Sequence, residues 1–134
     1  MRSLGYDVTT PRLSDWSFNR AVAQAQAVCD QLQPNVVVGS SRGGAVAMNM
    51  DSGETPLVLL APAWRRWGKA DGVNKRGFVI HSPHDETVPY DDSVRLWVNS
   101  RGLALIAAGA DHRLNDAEAQ QALAFALEQA TRTQ

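Results

Sequence analysis

Apolar residues recur along this chain with two different spacings, and the switch between them outlines the fold. Gly5-Tyr6-Asp7-Val8-Thr9-Thr10 alternates apolar and polar and stops at Pro11, which predicts a short strand and then an irregular turn through Ser14 and Asp15. From Phe18 the apolar positions are Phe18, Ala21, Val22, Ala25, Val28, Cys29 and Leu32, three and four apart. That spacing predicts an amphipathic helix, ended before Pro34 because proline cannot continue it. Asn35 to Gly39 follows at once as a β-branched strand. The Gly-x-Ser-x-Gly turn Gly39-Ser40-Ser41-Arg42-Gly43 leads into an alanine-rich helical pattern that runs to about Met50 and closes at Asp51-Ser52-Gly53.

Pro56-Leu57-Val58-Leu59-Leu60-Ala61-Pro62 is continuously apolar, which implies a strand buried on both faces. Ala63 to Gly77 carries Trp64, Trp67, Arg65, Arg66, Lys69, Lys75 and Arg76, with Gly68 and Gly72 interrupting any long helix, and reads as a mobile surface connection. Phe78 to His81 is the next buried strand, followed by the polar loop Ser82-Pro83-His84-Asp85-Glu86-Thr87-Val88-Pro89. Asp91 to Arg101 reads as a helix stopped by Gly102, and Leu103 to Ala107 as the last strand. After the loop Gly109-Ala110-Asp111-His112, a final helix begins at Asn115, with Glu118 placed to complete a capping box. The order is βαβαββαβα, which predicts an α/β fold of about five mostly parallel strands with helices on both faces.

Composition narrows the class. The 134 residues make one domain, 1–134, and 44% hydrophobic with 20% charged residues is the balance of a soluble globular protein. With a net charge of −1 and no Lys/Arg stripe, nothing points to nucleic acid, and a small, nearly uncharged substrate fits better. The single cysteine, Cys29, excludes an internal disulfide framework and a cysteine-rich metal site. Neither a signal-peptide run nor a membrane-span-length apolar stretch is present, so no membrane association is expected, and the cytoplasm is the expected compartment.

The chemistry gathers where parallel strands end. All carboxyl ends of a parallel sheet lie on one edge, so Ser41, Asp85 and His112, which follow the second, fourth and fifth predicted strands, should emerge together. A serine lifted on a strand-to-helix turn is a candidate nucleophile, and it needs a base to take its proton and a third group to orient that base. His112 is favoured as the base over His81 and His84, because it alone lies late in the chain after the last strand. Asp85 is the favoured carboxylate. Asp111 adjoins His112, but neighbouring side chains in an extended segment point apart, and Asp91 and Asp92 read more simply as helix-start residues.

Three segments, in chain order, resemble the α/β-hydrolase superfamily and, within it, small carboxylesterase- and thioesterase-like members. Gly39-Ser40-Ser41-Arg42-Gly43-Gly44 resembles the nucleophile elbow. His81-Ser82-Pro83-His84-Asp85-Glu86-Thr87-Val88-Pro89 resembles the His-Gly-x-x-Asp-x-x-Val-Pro acid loop, with Ser82 in place of glycine, and Asp111-His112-Arg113 resembles the histidine loop. The resemblance implies a minimal, truncated α/β-hydrolase fold without a cap domain, with Ser41 as nucleophile, Asp85 as acid and His112 as base. It implies hydrolysis of small to medium carboxylic esters, including thioesters, through an acyl-serine, with no cofactor and no metal. The same residues would serve an acyltransferase, and a degenerate hydrolase acting as a binding scaffold is the alternative from another class.

The elements with which this family usually opens, among them a loop that supplies an oxyanion donor, do not precede Gly5 here. Only the backbone N–H of Arg42, the residue after the nucleophile, is then assignable to the oxyanion. Its side chain either meets an anionic substrate group or packs over the helix. Trp64 and Trp67 either wall an acyl pocket or fill gaps left by a short sheet. Consecutive right-handed crossovers should place the helices from Phe18, Ser41 and Asp91 on one sheet face, leaving only the last helix for the other. The apolar surface left open predicts a homo-oligomer, a dimer or an assembly built from one.

Overall fold

The computed structural model describes residues 1–132. A 3₁₀ turn at Arg2–Leu4 and an extended segment lead to α1 (Phe18–Leu32), β1 (Val37–Ser40), α2 (Arg42–Asn49), β2 (Leu57–Leu60), β3 (Asn74–His81), α3 (Tyr90–Val98), β4 (Arg101–Ala107) and α4 (Ala117–Thr131). The four strands form one sheet in the order β1-β2-β3-β4, and every pairing is parallel. This is the expected α/β architecture with one strand fewer.

The missing strand is the one expected over Gly5 to Thr10. Those residues alternate as a strand does, but alternation specifies a face, not a partner, and the segment joins no ladder among the described residues. Instead it runs past the β1 edge. Tyr6 packs with Val36 and Val38 on one side of the sheet, and Leu13 packs with Ala21, Ala25 and Val46 on the other.

Alternation along the strands divides the core into two layers. Val37, Leu57, Leu59, Val79, Leu103 and Leu105 face α2 and α3, where they meet Ala47, Met48 and Leu96. Val38, Val58, Ile80 and Ile106 face the opposite way, onto Ala119, Leu123, Ala126, Leu127 and Ala130 of α4. As expected, α4 covers its face alone. One detail differs, since Ala21 and Ala25 of α1 rest on Val46 of α2 rather than on the sheet itself.

The connection from Ala63 is not the mobile surface segment that its charges suggested. Trp64 is only 9% exposed and packs among Leu57, Leu59 and Leu96, while its indole N–H donates to the Asp92 carbonyl at 2.9 Å. Asn49 Oδ1 accepts the N–H groups of Lys69 and Ala70, both at 3.1 Å. β3 then begins at Asn74 rather than Phe78, with an irregularity between Asn74 and Gly77 where it pairs with β4. Charged residues in a strand's first turn-side positions mask it from a hydrophobicity pattern.

At the C-terminal helix the capping residue is Asp116, whose carboxylate accepts the Ala119 N–H, so α4 starts two residues later than the pattern suggested. Glu118 completes no capping box. Its carboxylate accepts the Gly109 N–H at 2.8 Å, and Asp116 Oδ1 accepts that of Ala110 at 2.9 Å, which ties the loop after β4 to α4.

Candidate active site

The elbow between β1 and α2 is built by close packing. A Cβ on Gly39 would lie 2.4 Å from the Gly43 carbonyl oxygen, and one on Gly44 would lie 2.7 Å from Pro62 Cβ, so neither position has room for a side chain. Gly43 has nothing within 4 Å of such an atom, although it completes the Gly-x-Ser-x-Gly pattern. Between them Ser41 holds φ 54 and ψ −117, a conformation that a residue with a side chain adopts only when its surroundings impose it. The imposing contacts are main-chain: Ser41 N–H donates to Leu60 at 2.8 Å, and the Ser41 carbonyl accepts from Ala63 at 2.9 Å and Gly44 at 3.0 Å.

Ser41 Oγ therefore stands out at the carboxyl edge of the sheet, where it meets His112 Nε2 at 3.1 Å. His112 Nδ1 lies 2.7 Å from Asp85 Oδ2. Because a carboxylate only accepts, Nδ1 carries the proton, and Nε2 faces the serine hydroxyl as an acceptor. Asp85 Oδ1 is held by the N–H groups of Thr87 at 2.7 Å and Val88 at 2.8 Å. Burial alone would push this carboxyl up; the hydrogen bond from His112 and those from Val88 and Thr87 outweigh it, and hold the group below the usual carboxylate range.

The structure thus brings Ser41, Asp85 and His112 into one chain of hydrogen bonds. His84 is exposed, and Asp111 turns back to accept the Arg113 N–H at 3.0 Å. Asp91 pairs with Arg95 at 3.2 Å and Asp92 with Arg65 at 3.2 Å, so neither reaches His112. The helix starting at Arg42 receives no side-chain cap from Ser41, and the Arg42 N–H, the expected oxyanion donor, is the first N–H of that helix's first turn. The Arg42 side chain does not face an open anion site: its guanidinium lies 5.1 Å from the Trp67 ring centre and 5.8 Å from that of Phe18, and donates to the Ser14 carbonyl at 2.8 Å. It straps the segment before α1 onto the elbow.

Beside Ser41 lies a small cleft of about 250 Å³, lined by Ala63, Arg66, Trp67, Thr87, Val88 and Pro89 among others. Of the two tryptophans, Trp67 lines this cleft and Trp64 belongs to the core. Residues to which the sequence reading gave no catalytic role hold the loops. Ser82 Oγ donates to the Gly109 carbonyl at 2.8 Å and accepts the His84 N–H at 3.0 Å, so the residue standing where the resemblance expects glycine links the acid and histidine loops. His81 reaches Asp85 from behind, with Nε2 3.0 Å from Oδ2. Its signals in the sequence were its place at a strand end and as first residue of the acid-loop motif. Among the described residues no cluster of metal-ligating side chains is present, and no helix is long and apolar enough to cross a membrane.

No family model and no curated protein sequence matches this chain. Solved structures do. The chain is similar to mouse alpha/beta hydrolase domain-containing protein 10, with a TM-score of 0.71 at 14% identity over 93% of this chain and 73% of that one. Est1E from Butyrivibrio proteoclasticus gives 0.68 at 16% identity, covering 88% and 69%. The esterase domain of a Rhodothermus marinus protein gives 0.60 at 15% identity, covering 90% and 68%. The chain has the α/β-hydrolase fold, in a small version without a cap domain.

Proposed function

We propose that this chain is a serine hydrolase acting on small to medium carboxylic esters, thioesters included. The observation that carries the reading is the unbroken chain from Ser41 Oγ through His112 to Asp85, at 3.1 and 2.7 Å, on a strained elbow. Ser41 Oγ attacks the ester carbonyl carbon while its proton passes to His112 Nε2. Asp85 holds the ring and stabilises the imidazolium that forms. The Arg42 N–H receives the oxyanion, a single such donor being worth ~10²-fold to 10³-fold in rate. Collapse breaks the bond to the alcohol or thiol, which leaves with the proton from His112. Water then attacks the acyl-serine by the same route, and an alcohol in its place would make the reaction an acyl transfer.

The cleft beside Ser41, about 250 Å³, supports short acyl groups. Drug-sized ligands occupy sites of roughly 300 to 1,000 Å³. The test is a panel of esters graded in acyl length. Efficiency should be highest for the short members and fall for long ones, whose outer methylenes stay in water and forfeit up to ~0.8 kcal/mol each. A steady rise in kcat/KM out to long chains would contradict the reading. The reading extends to self-association: among the described residues β1 pairs with no strand on its outer side, where a groove of about 810 Å³ lies between it and the N-terminal segment, and a second copy of this chain would fill that edge.

A further inference from the structure

The hydrogen-bond chain does not stop at Asp85. His81, the last residue of β3, is completely buried, and its Nε2 lies 3.0 Å from Asp85 Oδ2, the oxygen that also holds His112, and 3.0 Å from the Val88 carbonyl. Its Nδ1 lies 2.6 Å from Ser93 Oγ on α3, and Ser93 is itself fully buried. The roles follow from chemistry. A carbonyl and a carboxylate only accept, so Nε2 carries the proton and shares it between them, while the lone pair on Nδ1 accepts the Ser93 hydroxyl. A second proton, on Nδ1, would place an imidazolium in a dry site.

With His81 counted, every acceptor position of Asp85 is used. Oδ1 takes the N–H groups of Thr87 and Val88, and Oδ2 takes His112 and His81. The carboxylate can neither rotate nor draw in water. A donor shared onto Oδ2 also withdraws negative charge from the atom that faces His112, and less charge there means a weaker attraction for the imidazolium formed when the serine proton is taken. The titratable groups facing His81 are Asp85 and His112 from the loops and Tyr90 from α3, whose ring meets it edge-on at 5.6 Å. Asp92 of α3 is turned away to Arg65, and the β4 partner of His81 is Ala107, which carries no charge.

We propose that His81 is a positioning residue for the triad: a second imidazole, held by Ser93, that locks the Asp85 carboxylate from behind and sets how readily His112 takes the serine proton. This rests on the serine-hydrolase reading above, and the experiment separates the two. His81→Leu keeps the bulk and removes the donor, whereas His81→Gln keeps an amide N–H near the position of Nε2. With a short-chain p-nitrophenyl ester, His81→Leu should lose roughly 10-fold to 100-fold in kcat, the rate equivalent of one hydrogen bond to a charged group, with little change in KM. The acid limb of its kcat/KM profile should move to higher pH. His81→Gln should recover most of both.

A His81→Leu protein that is folded and superimposes on the unmodified one in kcat and in its acid limb would overturn the proposal. If that variant does not fold, the ring nitrogens of the unmodified protein decide: long-range ¹H–¹⁵N correlation at neutral pH should show His81 singly protonated on Nε2, and a proton on Nδ1 would overturn the proposal. Failure of the unmodified protein to turn over any ester or to label at Ser41 would remove the hydrolase reading and this role with it. Normal turnover with an unaltered His81→Leu profile removes only the role.

Discussion

Ser41 sits in a backbone conformation that costs of order 1–3 kcal/mol, held by main-chain bonds to β2 and to Ala63. The strain is local, so Ser41→Ala should leave the fold unchanged by circular dichroism and abolish ester turnover. Persistent turnover would remove Ser41 from the reaction. His112→Ala should lower kcat by about four orders of magnitude, whereas His84→Ala, at an exposed site, should cost less than threefold; equal losses would mean that the base is misassigned. Asp85 also carries a pH signature. Its folded pKa lies below the unfolded one, so the stability it contributes is complete above about pH 4 to 5 and is lost as pH falls through the carboxylate range. Urea unfolding of Asp85→Asn should therefore show a shallower loss of stability between pH 5 and 3 than the parent, and parallel curves would argue against it. At this scale the meeting of Ser41, Asp85 and His112 was legible because each follows a strand. The roles of His81 and Ser93 were not, because a histidine at a strand's end and a serine inside a helix acquire meaning only when β3 and α3 are packed together.

At the scale of elements, the elbow separates two kinds of glycine. Gly44→Ala drives a Cβ to 2.7 Å from Pro62 and should cost about 1–3 kcal/mol in denaturant unfolding. Gly43→Ala, with nothing within 4 Å, should be neutral or gain up to ~1 kcal/mol from helix propensity. Equal effects would show that the Gly-x-Ser-x-Gly spacing, rather than the approach of α2 to Pro62, sets the requirement. Helices were legible wherever the three-and-four spacing was sustained, as in α1. Strands were legible where both faces are apolar, as in β2, and misread where the pattern lacked a partner or carried charge. Gly5 to Thr10 has the alternation but no ladder, and Asn74 to Gly77 has the ladder behind Lys75 and Arg76.

For the whole molecule, the parallel order β1-β2-β3-β4 is what turns three distant segments into one site, since it delivers Ser41, Asp85 and His112 to the same sheet edge. The same order leaves β1 and β4 as the sheet's edges among the described residues, with the N-terminal segment running past the first. Sedimentation at low micromolar concentration should then find a dimer or an assembly of dimers; an active, well-folded monomer throughout that range would end the association argument. The central claim is that the assembled edge makes one serine nucleophilic, and labelling with a fluorophosphonate followed by peptide mapping tests it most directly. The account predicts a single adduct on Ser41, absent in Ser41→Ala and strongly slowed in His112→Ala. Folded protein that turns over esters yet takes no adduct, or takes it on another residue, would contradict it.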